Sequence, residues 1–299
     1  MLKPPVRFAL PFVALAVVLS GCGATEQADD GLIHVVASTN VYGDIAQSIG
    51  GDRVEVTSII DDPAQDPHQF EANGRVQLAL SRADVVIVNG GGYDDFATQM
   101  LEASGNEDAV VITAVDESGF DPSADGFNEH VWYDYPTVEA VAGTLLHTLW
   151  DLDPEHRDYY QGTTAGFLGD MSDLEEQVAA LHAATDGVGV VITEPVPGYL
   201  LQELGMTNLT PPEFSSAIEE DADVPPALLQ RVLNLLGDGS ASLVVYNAQT
   251  GGPQTDAVLD IASENGIPAI GVTETLPEGA HYAPWQAGYL DLIRQALGA

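Results

Sequence analysis

One architecture is written twice along this chain. Residues 32–38 form an apolar strand pattern, residues 41–49 have helical spacing, and Gly50-Gly51 supplies a helix stop. Residues 54–60 alternate as a strand, 76–83 read as a helix, and 84–88 and 109–113 are further strands. From residue 188 the scheme returns, with strands at 188–193, 206–209, 242–246 and 268–272. Helices at 197–204, 225–236, 255–265 and 285–296 follow them. Short Val/Ile runs alternating with helices specify an α/β fold with mostly parallel sheets. Between the repeats, residues 154–184 carry no strand pattern and no internal proline. The apolar residues Tyr160, Phe167, Met171, Leu174, Val178 and Leu181 fall on one helical face there. At 1.5 Å per residue such a helix is ~45 Å long. The expected organisation is an N-terminal lobe at 32–153, a linking helix at 154–184, a C-terminal lobe at 185–299, and a ligand site in the cleft between the lobes.

Charge narrows the partners. Forty-six Asp and Glu stand against eight Lys and Arg, a formal net charge of −38 in 299 residues. Such a chain repels phosphate backbones and anionic headgroups, which excludes nucleic acid and polybasic membrane binding. Apolar residues make up 45% and charged ones 18%, enough to bury a core. Cys22 is the only cysteine, so no internal disulfide or multi-cysteine metal site is possible. Any metal must be held by His, Asp or Glu.

The N-terminus reads as a targeting segment. Lys3 and Arg7 precede an apolar run at 8–19 that is too short to span a bilayer. The sequence Leu19-Ser20-Gly21-Cys22 resembles a bacterial lipobox. It implies a signal peptide at 1–21, lipid on Cys22, an extracytoplasmic location on the cell membrane, and a polar tether at 22–31. Cleavage there removes Lys3 and Arg7, leaving 46 acidic and 6 basic side chains, a net of −40.

Seven histidines are available. His34 lies within the first strand, and His147, His156 and His182 lie in helical stretches, where structural roles are expected. His68, in Asp66-Pro67-His68, and His130, in Asn128-Glu129-His130, lie on loops leading into helices. Glu194 ends the strand at 188–193, and Glu274 stands just past the strand at 268–272. In open α/β sheets, ligands bind outside the carboxyl ends of the strands. Two ligands per lobe therefore stand where they can converge across a cleft. Gly90-Gly91-Gly92 lacks dinucleotide-fingerprint spacing and reads as a tight turn. Residues 219–223, Glu-Glu-Asp-Ala-Asp, read as a solvated acidic loop.

Asp66-Pro67-His68, Asn128-Glu129-His130-Val131-Trp132 and Thr193-Glu194-Pro195, in this order behind a lipobox, resemble the metal-binding lipoproteins of zinc/manganese ABC importers. Ser38-Thr39-Asn40-Val41-Tyr42-Gly43-Asp44 belongs to the same pattern. Pro211-Pro212-Glu213-Phe214 and Tyr246-Asn247-Ala248-Gln249-Thr250 are similar to the actinobacterial branch. The resemblance implies a substrate-binding protein, not an enzyme, with His68, His130 and Glu194 as ligands. The family's fourth ligand is an Asp in a Thr-Asp-Ser-like turn. Here Thr273-Glu274-Thr275 puts Glu274 in that place, with His281 or a water-completed three-ligand site as alternatives.

Two imidazoles and two carboxylates suit four-coordinate Zn²⁺, while bidentate carboxylates suit Mn²⁺. Zn²⁺ is the first expectation and Mn²⁺ a close second. Ligation needs neutral imidazole, so binding is expected to weaken as pH falls through ~6.5. No P-loop is present, so an importer requires a separate permease and ATPase, with this chain acting as a monomer. A Mn²⁺-specific receptor is the alternative within the family, and a zinc-dependent hydrolase the alternative from another class. The surplus acidity fits a saline environment, where salt screens self-repulsion.

Overall fold

Each of the eight apolar runs is a strand in the computed structural model, which describes residues 31–62, 65, 70 and 73–299. The first sheet contains β1 (Ile33–Thr39), β2 (Val54–Ile60), β3 (Val85–Val88) and β4 (Val110–Thr113), in the order β2-β1-β3-β4. The second contains β5 (Gly189–Ile192), β6 (Thr207–Asn208), β7 (Leu243–Asn247) and β8 (Ala269–Val272), in the order β6-β5-β7-β8. Every neighbouring pair is parallel. The strand order reverses direction between β1 and β3, and again between β5 and β7. Each reversal opens a crevice outside the strand carboxyl ends. Ala37 pairs with Ile87 and Ile192 with Val245. Two residues further on, Asn89 and Asn247 therefore occupy equivalent positions in the two lobes.

The helices of the first lobe are α1 (Asn40–Gly50), α2 (Gly74–Leu80), α3 (Asp95–Ser104), α4 (Ala114–Ser118) and α5 (Tyr135–Leu152). Asp134 starts α5, its carboxylate accepting from the Thr137 amide at 3.1 Å, with Pro136 in the first turn. Then comes α6 (Arg157–Thr185), followed by α7 (Gly198–Glu203), α8 (Pro212–Glu219), α9 (Pro226–Gly237), α10 (Pro253–Glu264) and α11 (Tyr282–Leu297). The sequence periodicity does not mark α3, α4 or α8. All three are short, and α8 begins on the Pro211-Pro212 pair.

The linking helix is real and slightly shifted. Residues 154–156 form a 3-10 turn, and α6 then runs 29 residues without a break. Its six apolar residues are all buried, joined by Thr164 and Thr185 on the same face. They enter a continuous core that includes Val35 and Ile87 of the first sheet, Val190 and Val245 of the second, and Tyr282 and Leu290 of α11. Two smaller cores cover the outer faces of the sheets, one around Val86 and Leu101, the other around Val244 and Phe214. Both lobes thus share one apolar interior, and Leu32–Ala299 forms one compact unit. No helix among the described residues is long and apolar enough to cross a membrane.

The glycine run after β3 is a tight turn. Gly90 and Gly91 have φ of 80° and 67°, and a Cβ on Gly90 would stand 2.5 Å from Thr113 Cγ2. The turn lets Asp94 fold back and accept from the Asn89 and Gly90 amides at 2.6 and 2.8 Å. Burial raises the Asp94 pKa despite these donors.

Candidate metal centre

Two buried carboxylates meet at the carboxyl edge of the second sheet. Glu194 follows β5 and Glu274 follows β8, and each is only 2% exposed. Carboxylates so deeply buried require partners. The Asn247 side-chain amide, at the end of β7, donates to Glu194 Oε2 and Glu274 Oε1, both at 2.7 Å. Thr250 Oγ1 donates to Glu194 Oε1, and Tyr93 OH donates to Glu274 Oε2 at 3.0 Å. Burial, then the Glu274 charge, push the Tyr93 pKa well above its usual value, so it stays a donor. A carboxylate oxygen carries more than one lone pair, so a hydrogen-bonded carboxylate can also hold a cation.

The turn carrying Glu274 is clamped from both lobes. The Glu274 amide donates to Gln249 Oε1 at 2.5 Å, and the Thr273 amide to Tyr289 OH at 2.9 Å. From the first lobe, Tyr133 OH donates to Thr273 O at 2.7 Å. Asn40 exchanges two hydrogen bonds with the Leu276 backbone, each 2.9 Å.

His130 is fully buried just before the 3-10 turn Val131–Tyr133. Asn128 Oδ1 lies 2.7 Å from its Nδ1. The Asn128 amide nitrogen donates to Pro195 O at 3.0 Å, which fixes which end of the side chain faces the ring. Nδ1 must then carry a proton, and in the neutral ring Nε2 presents its lone pair. A side chain at Gly198 would strike the Asn128 nitrogen at 2.7 Å, so the approach needs that glycine. Asn89 holds the same loop, donating to Glu129 O at 2.8 Å.

Glu219 departs from the sequence expectation. Residues 220–223 are exposed, as a solvated loop should be, but Glu219 closes α8 with its side chain only 10% exposed. Its Oε1 stands 3.3 Å from His130 Nε2. Burial first, then the charges of Glu129, Glu274 and Glu194, push its pKa up to about 9. Among the described residues no arginine forms an ion pair with Glu194, Glu219 or Glu274. The ion pairs of Arg157 and Arg294 are with Asp151 and Asp291.

His68 and Cys22 lie outside the described residues. His281 has a 74% exposed side chain and directs Nδ1 to Asp44 Oδ1 at 2.7 Å, while the Tyr282 amide donates to Asp44 Oδ2 at 2.8 Å. His34 contacts Glu55, His156 contacts Asp153, and His147 packs edge-on against Trp150. Among the described residues no three His, Cys, Asp or Glu side chains close round an ion by themselves. Instead they form two pairs, His130 with Glu219 and Glu194 with Glu274 across Asn247. Asn247, Asn128 and Tyr93 carry no spacing signal; Asn128 and Asn247 stood out only within motifs that resemble those of a family, without a role of their own.

Residues 35–299 match the family model described as ZnuA, zinc-uptake complex component A, periplasmic. A manganese-binding lipoprotein of Halalkalibacterium halodurans is 25% identical over 285 residues, covering 89% of this chain and 91% of that protein. A manganese ABC transporter substrate-binding lipoprotein of Streptococcus pneumoniae is 24% identical, covering 74% and 76%. Among solved structures, that of ZnuA superposes with a TM-score of 0.73 at 19% identity, covering 89% of this chain and 99% of the other. The substrate-binding protein FpvC of Pseudomonas aeruginosa, in complex with Mn²⁺, gives 0.74 at 21%, covering 89% and 98%. These likenesses establish the two-lobed fold, and the match over residues 35–299 shows that the chain belongs to the ZnuA family of metal-binding ABC-transporter components.

Proposed function

We propose that the chain is an extracytoplasmic receptor, anchored by lipid on Cys22, that captures Zn²⁺ or Mn²⁺ and delivers it to an ABC permease driven by a separate ATPase. The ion is cargo, and the receptor acts as a monomer without catalysing a reaction. The proposed ligands are His68 and His130 from the first lobe and Glu194 and Glu274 from the second. One observation carries this assignment. Glu194 and Glu274 are buried just past strand ends and His130 on the loop before the 3-10 turn Val131–Tyr133, each held in place by neutral hydrogen-bonding groups. Amide and hydroxyl donors favour the ionised form of a buried carboxylate, which is the form a cation binds.

The neighbours suit capture. Asn128 sets the His130 tautomer, so the ring meets the ion without first losing a proton. Thr250, Asn247 and Tyr93 hold the carboxylates at defined angles. The core shared through α6 favours local loop adjustment over wide hinge closure. The relatives named for manganese and the family model named for zinc bracket the cargo.

Competition titration with Zn²⁺ and Mn²⁺ tests the ligand set. Glu274→Ala should weaken both ions at least tenfold, and His281→Ala should leave both unchanged. Wild-type affinity in Glu274→Ala would remove Glu274 from the site.

A further inference from the structure

We infer that Glu219 is a fifth protein ligand of the captured ion and tilts the site towards Mn²⁺. The inference rests on the cation-receptor function proposed above. Glu219 Oε1 is buried and accepts no hydrogen bond among the described residues. It points at His130 Nε2 from 3.3 Å. With the His130 proton on Nδ1, the ionised form of Glu219 and the His130 Nε2 present lone pairs to each other. A shared cation reconciles them. Two ligands at about 2.0–2.2 Å from one ion, separated by angles of 90–110°, are about 2.8–3.6 Å apart. The observed separation falls inside that span.

Position supports the same assignment. Glu219 ends α8 of the second lobe and reaches His130 of the first. It also lines a solvent-open cavity with Ile218, Ala222, Gln249 and Thr250, and Thr250 is the residue that donates to Glu194. The carboxylate thus lines a cavity next to the residue that holds Glu194. A third carboxylate makes the shell richer in oxygen. Carboxylate oxygen suits Mn²⁺, whereas imidazole favours Zn²⁺, and extra ligands exceed the four that Zn²⁺ prefers.

The test compares Zn²⁺ and Mn²⁺ affinities of wild type, Glu219→Gln and the control Glu220→Gln, all stripped with chelator. Glu219→Gln should lose at least tenfold in Mn²⁺ affinity and less than threefold in Zn²⁺ affinity, while Glu220→Gln stays at wild type. Equal losses for the two ions, or no loss for either, would overturn the inference. A wild type that binds neither ion would instead overturn the receptor function. A crystal structure of the Mn²⁺-loaded wild type needs no variant. Glu219 oxygen within about 2.4 Å of the ion supports the inference, and a carboxylate turned away from it refutes it.

Discussion

Asn128 Oδ1 lies 2.7 Å from His130 Nδ1, and the same asparagine bonds to Pro195 O beside Glu194. One side chain thus orients His130, the proposed ligand of the first lobe, and ties it to the second. Asn128→Ala should lower metal affinity about 10–100-fold, the usual cost of losing a group that orients a ligand. Asn128→Asp keeps the acceptor and should lose much less. Titration calorimetry separates the two; equal affinity in wild type and Asn128→Ala would mean that the ring is oriented otherwise.

The Asn247 side chain bonds both Glu194 and Glu274. In Asn247→Leu both buried carboxylates lose a donor, at roughly 1–3 kcal/mol for each unsatisfied group. Urea unfolding in chelator should show the metal-free variant at least about 2 kcal/mol less stable than wild type. A difference near zero would show that the glutamates find other donors.

Met171 lies at the middle of α6, fully buried in the core that reaches both sheets. Met171→Ala should cost about 2–5 kcal/mol. Because the core is continuous, calorimetry should still show a single transition at lower temperature. Two separated transitions would mean that the lobes unfold independently.

The strands, the linking helix and the strand-end placement of Glu194 and Glu274 were legible because each depends on local pattern. Val/Ile runs such as residues 85–88 can only be satisfied inside a parallel sheet, and the Tyr160-to-Leu181 spacing fits only one helical face. Glu219 was not legible. It opens an acidic run whose other members are exposed, and its direction is set by α8, a short helix starting after two prolines. Asn128, Tyr93 and Asn89 escaped for a related reason. Their roles depend on hydrogen bonds between segments far apart in sequence, such as Asn128 with Pro195, Asn89 with Glu129 and Tyr93 with Glu274. The His281 alternative was a matter of sequence proximity. In space, that imidazole is committed to Asp44 at the start of α11.

The hydrogen bond with Asp44, and next its charge, raise the His281 pKa above the ordinary 6.5. A raised imidazole stabilises the fold fully below the unfolded pKa, and the contribution fades as pH rises through the folded value. His281→Ala should therefore melt below wild type at pH 5.5 and together with it at pH 9. The gap should be small, since the side chain is 74% exposed and screened by solvent. A gap that widens with pH would contradict the pairing.

The central claim is that the buried residues around His130 form a site for one divalent metal ion. Isothermal titration of chelator-stripped wild type and His130→Ala with Mn²⁺ and Zn²⁺ tests it most directly. The account predicts one ion per wild-type chain and at least a hundredfold loss of affinity in His130→Ala. No binding of either ion to wild type, or equal affinity in the two proteins, would contradict it.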